Sequence, residues 1–112
     1  MSYVPDRGHI VWLSFSPHAG HEQAGRRPGL VLSPKPYNGK AGLLLACPIT
    51  SQIKGYPFEI TLPDGLPVSG AALVDQTKSL DWQVRDASFI CIIPPSVLGE
   101  ALGKLIALLS IE

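Results

Sequence analysis

The sequence predicts a small, mainly β domain, an all-β barrel or sandwich with one helix at its C-terminal end. Three observations predict it. Short aliphatic and aromatic runs recur at regular spacing over most of the chain, punctuated by Gly, Pro, Asn and Asp. Apolar periodicity turns helical only after Pro94-Pro95. Of the 112 residues, 46% are hydrophobic and 16% charged, enough to bury one core but not two, so residues 1–112 read as a single ordered domain.

In chain order, HIVWLSFS (9–16) is strand-like and stops at Pro17. The polar interval GHEQAGRRP (20–28) follows, then the short apolar run GLVLS (29–33) between Pro28 and Pro34. Asn38-Gly39 in PKPYNGKAG is a strong hairpin signal and predicts that LLLACPIT (43–50) pairs with the preceding strand. FEITL (58–62) alternates apolar and polar residues, as a strand with one wet face does, and turns at PDG (63–65). GAALVDQ (70–76), KSLDWQV (78–84) and SFICII (88–93) complete the β-type runs. Beyond the proline pair, Val97, Leu98, Ala101, Leu102, Leu105, Ile106 and Leu109 form one helical stripe, with Glu100 and Lys104 facing away as an i,i+4 pair. Gly99 and Gly103 each cost about 1 kcal/mol against alanine, so they are expected to permit close packing.

Net charge is zero, which argues against a protein that coats nucleic acid through a broad positive field. The average conceals a split: residues 1–56 hold six basic and two acidic groups (+4), residues 57–112 three basic and seven acidic (−4). An anion-binding face is therefore expected mainly in the first half. Cys47 and Cys91 lie in apolar runs without metal-ligand spacing and read as buried free thiols. The polar N-terminus MSYVPDRG lacks a signal-peptide core, so a cytoplasmic location is expected. VLGEALGKLIALLSI is shorter than the roughly 18–20 residues of a membrane span and is interrupted by Glu100 and Lys104, so no membrane association is expected.

Two polar concentrations adjoin the strands: GHEQAGRRP, and PITSQIKGYPFE, where Thr50, Ser51, Gln52 and Lys54 follow an apolar run. Short connections make the first three strands neighbours, which would bring Glu22 and Arg27 toward Thr50 and Ser51. A guanidinium matches phosphate oxygens in a fork and neutralises the added charge of a phosphorane. A carboxylate can take a proton, and hydroxyls can donate to the same oxygens. Such a set needs an internal nucleophile, and RNA supplies its 2′-OH where DNA has none. Metal-free ribonuclease chemistry ending in a 2′,3′-cyclic phosphate fits. Against it stands the ordinary reading, in which an Arg-Arg loop is solvated surface and Thr-Ser is turn chemistry. His18 and His21 lack a third metal ligand, and Ser14 and Ser16 lack a nucleophile-elbow context.

Four ordered blocks over about 85 residues tip this balance. YVPDRGHIVWLSFSP, EQAGRRPGLVLSPKPYN, CPITSQIKGYPFEI and ALVDQTKSLDW together resemble the MazF/PemK family of toxin endoribonucleases. The resemblance implies an SH3-like (CcdB/PemK-like) small β-barrel, a homodimer, and metal- and cofactor-independent, sequence-specific cleavage of single-stranded RNA, chiefly mRNA. It also implies a cognate MazE-like antitoxin whose acidic segment occupies the RNA channel. Carried over by motif, Arg27 is the catalytic arginine, Thr50 the catalytic hydroxyl and Glu22 the loop acid. Gln23, Asn38, Ser51, Gln52, Lys54 and Lys78 would contact bases or phosphates. Asp75 falls where a relative's proposed catalytic base lies, and serves base recognition or strand packing equally well. Three departures stand out: His9 and Ser14 replace common acidic residues, Arg26 adds a charge expected to tune RNA binding, and PDGLPVSG differs in length and chemistry. The alternative is a non-catalytic module on the same barrel, including CcdB-type gyrase poisons, which need no arginine and glutamate beside a threonine.

Overall fold

The computed structural model describes residues 3–16, 20 and 25–110. Three strands make its centre: β1 (His9–Ser14), β2 (Arg26–Val31) and β3 (Leu43–Thr50), all antiparallel. β4 (Glu59–Thr61) pairs β5 (Ala71–Leu73), and β5 pairs the end of β3 at Ile49↔Ala72 and Thr50↔Ala71. The start of β3 instead pairs β6 (Lys78–Asp81), and β7 (Ser88–Ile92) lies against β1. The path runs β4-β5-β3-β2-β1-β7 with β6 beside β3. Its ends, β4 and β7, do not pair with each other among the described residues, so the term barrel fits this seven-stranded sheet only loosely.

Neighbouring residues of the central strands serve different cores, because successive side chains point to opposite faces. Leu30, Cys47 and Ile49 join Ile10, Ile60, Ala72 and Val74 in one cluster, while Val31 and Ala46 join Val11, Leu13, Phe15, Leu44, Leu80 and Trp82 in another. LLLACPIT is apolar without alternation because much of β3 is covered on both sides. Cys47 and Cys91 are free thiols, the first buried and the second half-buried, and burial pushes Cys47 up to about 12. Such a thiol is inert at neutral pH.

The hairpin expected at Asn38-Gly39 is replaced by a short helix, α1 (Lys35–Ala41). Proline is accommodated in its first turn, and Gly42, at φ 72°, ends it with an N–H donated to the Asn38 carbonyl. Gly39 does not take the positive φ that a two-residue hairpin turn of this type demands. The pairing of β2 with β3 was nevertheless as expected.

The last helix, α2 (Pro95–Leu109), starts where the proline pair predicts. Val97, Leu98, Ala101, Leu102 and Leu105 pack on the first core, but Ile106 and Leu109 remain exposed. Lys104 donates to the Pro57 carbonyl, so its ammonium is tied to the loop before β4. Nothing lies within 4 Å of a side-chain position at Gly99 or Gly103, which corrects the expectation of close packing there within one chain. No described helix is long and apolar enough to cross a membrane.

Candidate active site

β3 delivers Thr50 to the end of the sheet, 7% exposed, between β5 and the continuation of β2. The β2–β3 pairs Gly29↔Pro48, Leu30↔Cys47 and Val31↔Ala46 each sum to 77. Continued two residues past its last pair, Gly29↔Pro48, that register leads Arg27 toward Thr50, since 27 and 50 also sum to 77. Directly opposed residues of an antiparallel pair share a face, so guanidinium and hydroxyl belong to the same side of the sheet. Arg27 is half-buried and held in β2 opposite Leu13. The Thr50 hydroxyl accepts the Gln52 N–H at 3.1 Å, which fixes its oxygen at the start of the loop.

That loop, residues 51–58, borders a cavity of about 290 Å³ lined by Thr50, Gln52, Lys54, Tyr56, Glu59, Leu73, Asp75 and Gln76. Glu59, the first residue of β4, fastens it: one carboxylate oxygen accepts the N–H of Lys54 at 3.1 Å and of Gly55 at 2.9 Å, and its own N–H donates to the Tyr56 carbonyl at 3.1 Å. Gly55 takes φ 78°, a turn that other residues adopt only with strain. Asp75 reaches the cavity from the 3₁₀ turn Val74–Gln76 that follows β5.

The structure thus gathers Thr50, Gln52, Lys54 and Asp75 around one cavity, with Arg27 across the sheet and Ser51 exposed beside Thr50. Lys78 pairs with Ala46, four residues back along β3, or about 13 Å from Thr50 at the usual strand rise. Asn38 is a correction. It is fully buried, donates from its amide to the Pro5 and Ser33 carbonyls at 2.9 Å, and accepts from the Ser33 hydroxyl at 2.6 Å, so it has no surface to offer a base or phosphate. Arg26, next to Arg27 on the same strand, points to the opposite face. Its guanidinium donates to the Ser88 hydroxyl at 3.2 Å and lies 3.9 Å from the Asp86 carboxylate, bracing the turn before β7. Glu22 and Gln23, like His18 and His21, lie outside the described residues.

Tyr56, Glu59, Leu73 and Gln76 line the cavity although the spacing of the sequence did not single them out. Glu59 read there as the wet face of an alternating strand, and only the charge of an acid among loop N–H groups hints at its second use. Chemically, the site combines a guanidinium opposite a hydroxyl with an ammonium and a carboxylate at the cavity. This is a set for binding a phosphodiester and stabilising charge on it. Among the described residues no three His, Cys, Asp or Glu side chains gather as a metal site.

Comparison with known proteins matches residues 6–109 to the family described as PemK-like, MazF-like toxin of type II toxin-antitoxin system. The chain is 47% identical over 103 residues to the endoribonuclease toxin MazF of Escherichia coli strain K12, covering 92% of each. It superposes on the crystal structure of MazF from Deinococcus radiodurans with a TM-score of 0.95 at 59% identity, covering 98% of this chain and all of that one. A MazE-MazF crystal structure from the same organism matches with a TM-score of 0.87 at 53% identity, covering 99% and 100%.

Proposed function

The chain belongs to the family of PemK-like, MazF-like toxins of type II toxin-antitoxin systems, and on that premise we propose that it is a sequence-specific endoribonuclease that cuts single-stranded mRNA and is neutralised by a MazE-like antitoxin. The observation that supports the reading is the cavity of the 51–58 loop, lined by Thr50, Gln52, Lys54 and Asp75, with the β2–β3 register leading Arg27 toward Thr50. The 2′-OH attacks the adjacent phosphorus, the P–O5′ bond breaks, and the products are a 2′,3′-cyclic phosphate and a 5′-OH. Arg27 neutralises the phosphorane and serves as a proton donor toward the leaving oxygen, while the Thr50 hydroxyl donates to a phosphoryl oxygen. Two carboxylates are candidates for the 2′-OH proton: Asp75, which lines the cavity with Thr50, and Glu22, whose role rests on motif. The reaction draws on no metal-generated hydroxide, because its nucleophile is part of the substrate.

A homodimer and a cytoplasmic location belong to the same reading. The single chain leaves Ile106, Leu108 and Leu109 exposed on α2, apolar surface that a second copy would cover. A gyrase-poison reading gains nothing from an arginine set against a threonine. The purified protein is expected to cut single-stranded RNA in excess EDTA and to spare DNA of the same sequence. Loss of cutting on chelation, or equal cutting of DNA, would refute the mechanism. Arg27→Lys keeps charge but loses the planar fork, and is expected to slow cleavage about 100-fold or more while leaving the protein folded.

A further inference from the structure

An exposed tyrosine in a loop is ordinarily solvated surface, but Tyr56 sits on a backbone that is held at several points. Glu59 binds the N–H groups of Lys54 and Gly55 and returns its own N–H to the Tyr56 carbonyl, and Lys104 from α2 takes the Pro57 carbonyl. The ring is 60% exposed, borders the cavity that Thr50 also lines, and has the Lys54 ammonium 5.9 Å from its centroid. Fixed backbone beneath an exposed aromatic ring lowers the ordering cost of stacking a flat ligand on the face that Lys54 does not cover. The volume of about 290 Å³ is small for a drug-sized ligand and suits one planar base. The adjacent ammonium meets the phosphate that comes with that base.

From this arrangement we infer that Tyr56 is a stacking platform for one RNA base next to the scissile phosphate, and that Glu59 is the positioning residue that presents it. The inference rests on the nuclease reading and adds a base subsite to it. Where Glu22 takes the 2′-OH proton, the Asp75 carboxylate in the same cavity is left to accept from an amino-bearing base edge, which would make the subsite selective as well as adhesive.

The test uses the intact protein and an RNA oligonucleotide centred on a cut site mapped from one long transcript, with a 2′-O-methyl group at the scissile nucleotide to block cleavage. Stacking of a base on an aromatic residue is worth enough that Tyr56→Leu is expected to weaken binding on the order of tenfold, with Tyr56→Phe recovering most of it. On the cleavable RNA the loss falls on KM more than on kcat. Glu59→Ala shifts KM the same way, whereas Glu59→Gln, which keeps an acceptor oxygen for the loop N–H groups, restores it. Circular dichroism and melting temperature check that each variant folds. Wild-type affinity in Tyr56→Leu overturns the platform, and a Glu59→Gln as impaired as Glu59→Ala overturns the positioning role. A wild-type protein that binds the long transcript but cuts none overturns the nuclease reading alone, because the affinities of wild type and Tyr56→Leu for that uncut transcript still decide the platform.

Discussion

Among single residues, His9 shows how a departure from the family pattern is absorbed. Its Nδ1 accepts from the Tyr3 hydroxyl at 2.8 Å and from the Asp6 N–H at 3.3 Å, and its ring stacks against Tyr3 and meets Phe89 edge-on. Two donors aimed at one nitrogen require the neutral ring with its proton on Nε2. Burial lowers the His9 pKa, outweighing the opposing pull of Asp6, and Lys35 adds to the lowering. The folded protein therefore binds a proton there less readily than the unfolded chain, and stability rises with pH through this window. The contribution is present above about 6.5, the unfolded value, and is lost as pH falls through the lower folded value. Neighbouring groups do not mask it, since Tyr3 is raised to about 12 and Asp6 is lowered from 3.8 by the Lys35 and Arg7 N–H groups. Urea midpoints are expected to fall between pH 7.5 and 5 in the wild type and to flatten in His9→Gln; an equal slope in both would remove His9 from the account.

Among elements, the close approach of β5 to β3 governs where Thr50 sits. Gly70 precedes β5 with φ 119°, and a side-chain carbon there would stand 2.0 Å from the Thr50 carbonyl oxygen and 3.2 Å from the Ser51 Cα. Backbone cannot yield as a flexible side chain does. Gly70→Ala is expected to lose about 3 kcal/mol or more and to slow cleavage over tenfold in the folded fraction, because the displaced strand end carries the hydroxyl. Gly65→Ala is the control: φ is 94° with nothing within 4 Å, so only backbone strain of about 1–2 kcal/mol is expected, with cleavage little changed. Thermal unfolding and single-turnover rates separate the two, and a Gly70→Ala protein as active as Gly65→Ala would refute the argument. Elements of this kind were partly legible. LLLACPIT became β3 residue for residue, and Pro94-Pro95 marked the start of α2. Asn38-Gly39 misled because a buried side chain outweighed local turn preference: Asn38 ties α1 to Ser33 and Pro5, and its carbonyl accepts the Trp82 indole N–H. No spacing rule reveals such a tertiary partner, nor the Glu59 contacts that shape the site. That Arg27 and Thr50 lie at strand ends beside polar loops was readable from the chain, while their proposed roles came from the family motifs.

Across the whole molecule, the charge split of +4 and −4 suggested that an anion-binding face would be built mainly from the first half. The fold disperses it. Arg7 donates to the Leu32 carbonyl, and Arg26 braces the turn before β7. Lys35 and Lys40 ride on α1, which precedes the first residue of β3, and Thr50 is the last of its eight residues, about 23 Å away along the strand. At physiological salt, exposed charges act over roughly 8 Å, so the α1 lysines contribute little at Thr50. Arg27 and Lys54 remain next to the site, with Lys78 at about 13 Å. Single-stranded RNA releases about 0.7 counterion per neutralised phosphate, so two to three contacts give a slope of log affinity against log salt of roughly −1.4 to −2.1. Replacing Lys54 by Met is expected to make that slope shallower by about 0.7, whereas Lys40→Met leaves it unchanged. Binding of the cleavage-blocked RNA from 50 to 200 mM salt measures all three proteins. A wild-type slope near −4, or equal shallowing by Lys40→Met, would mean that the basic half acts as one surface after all.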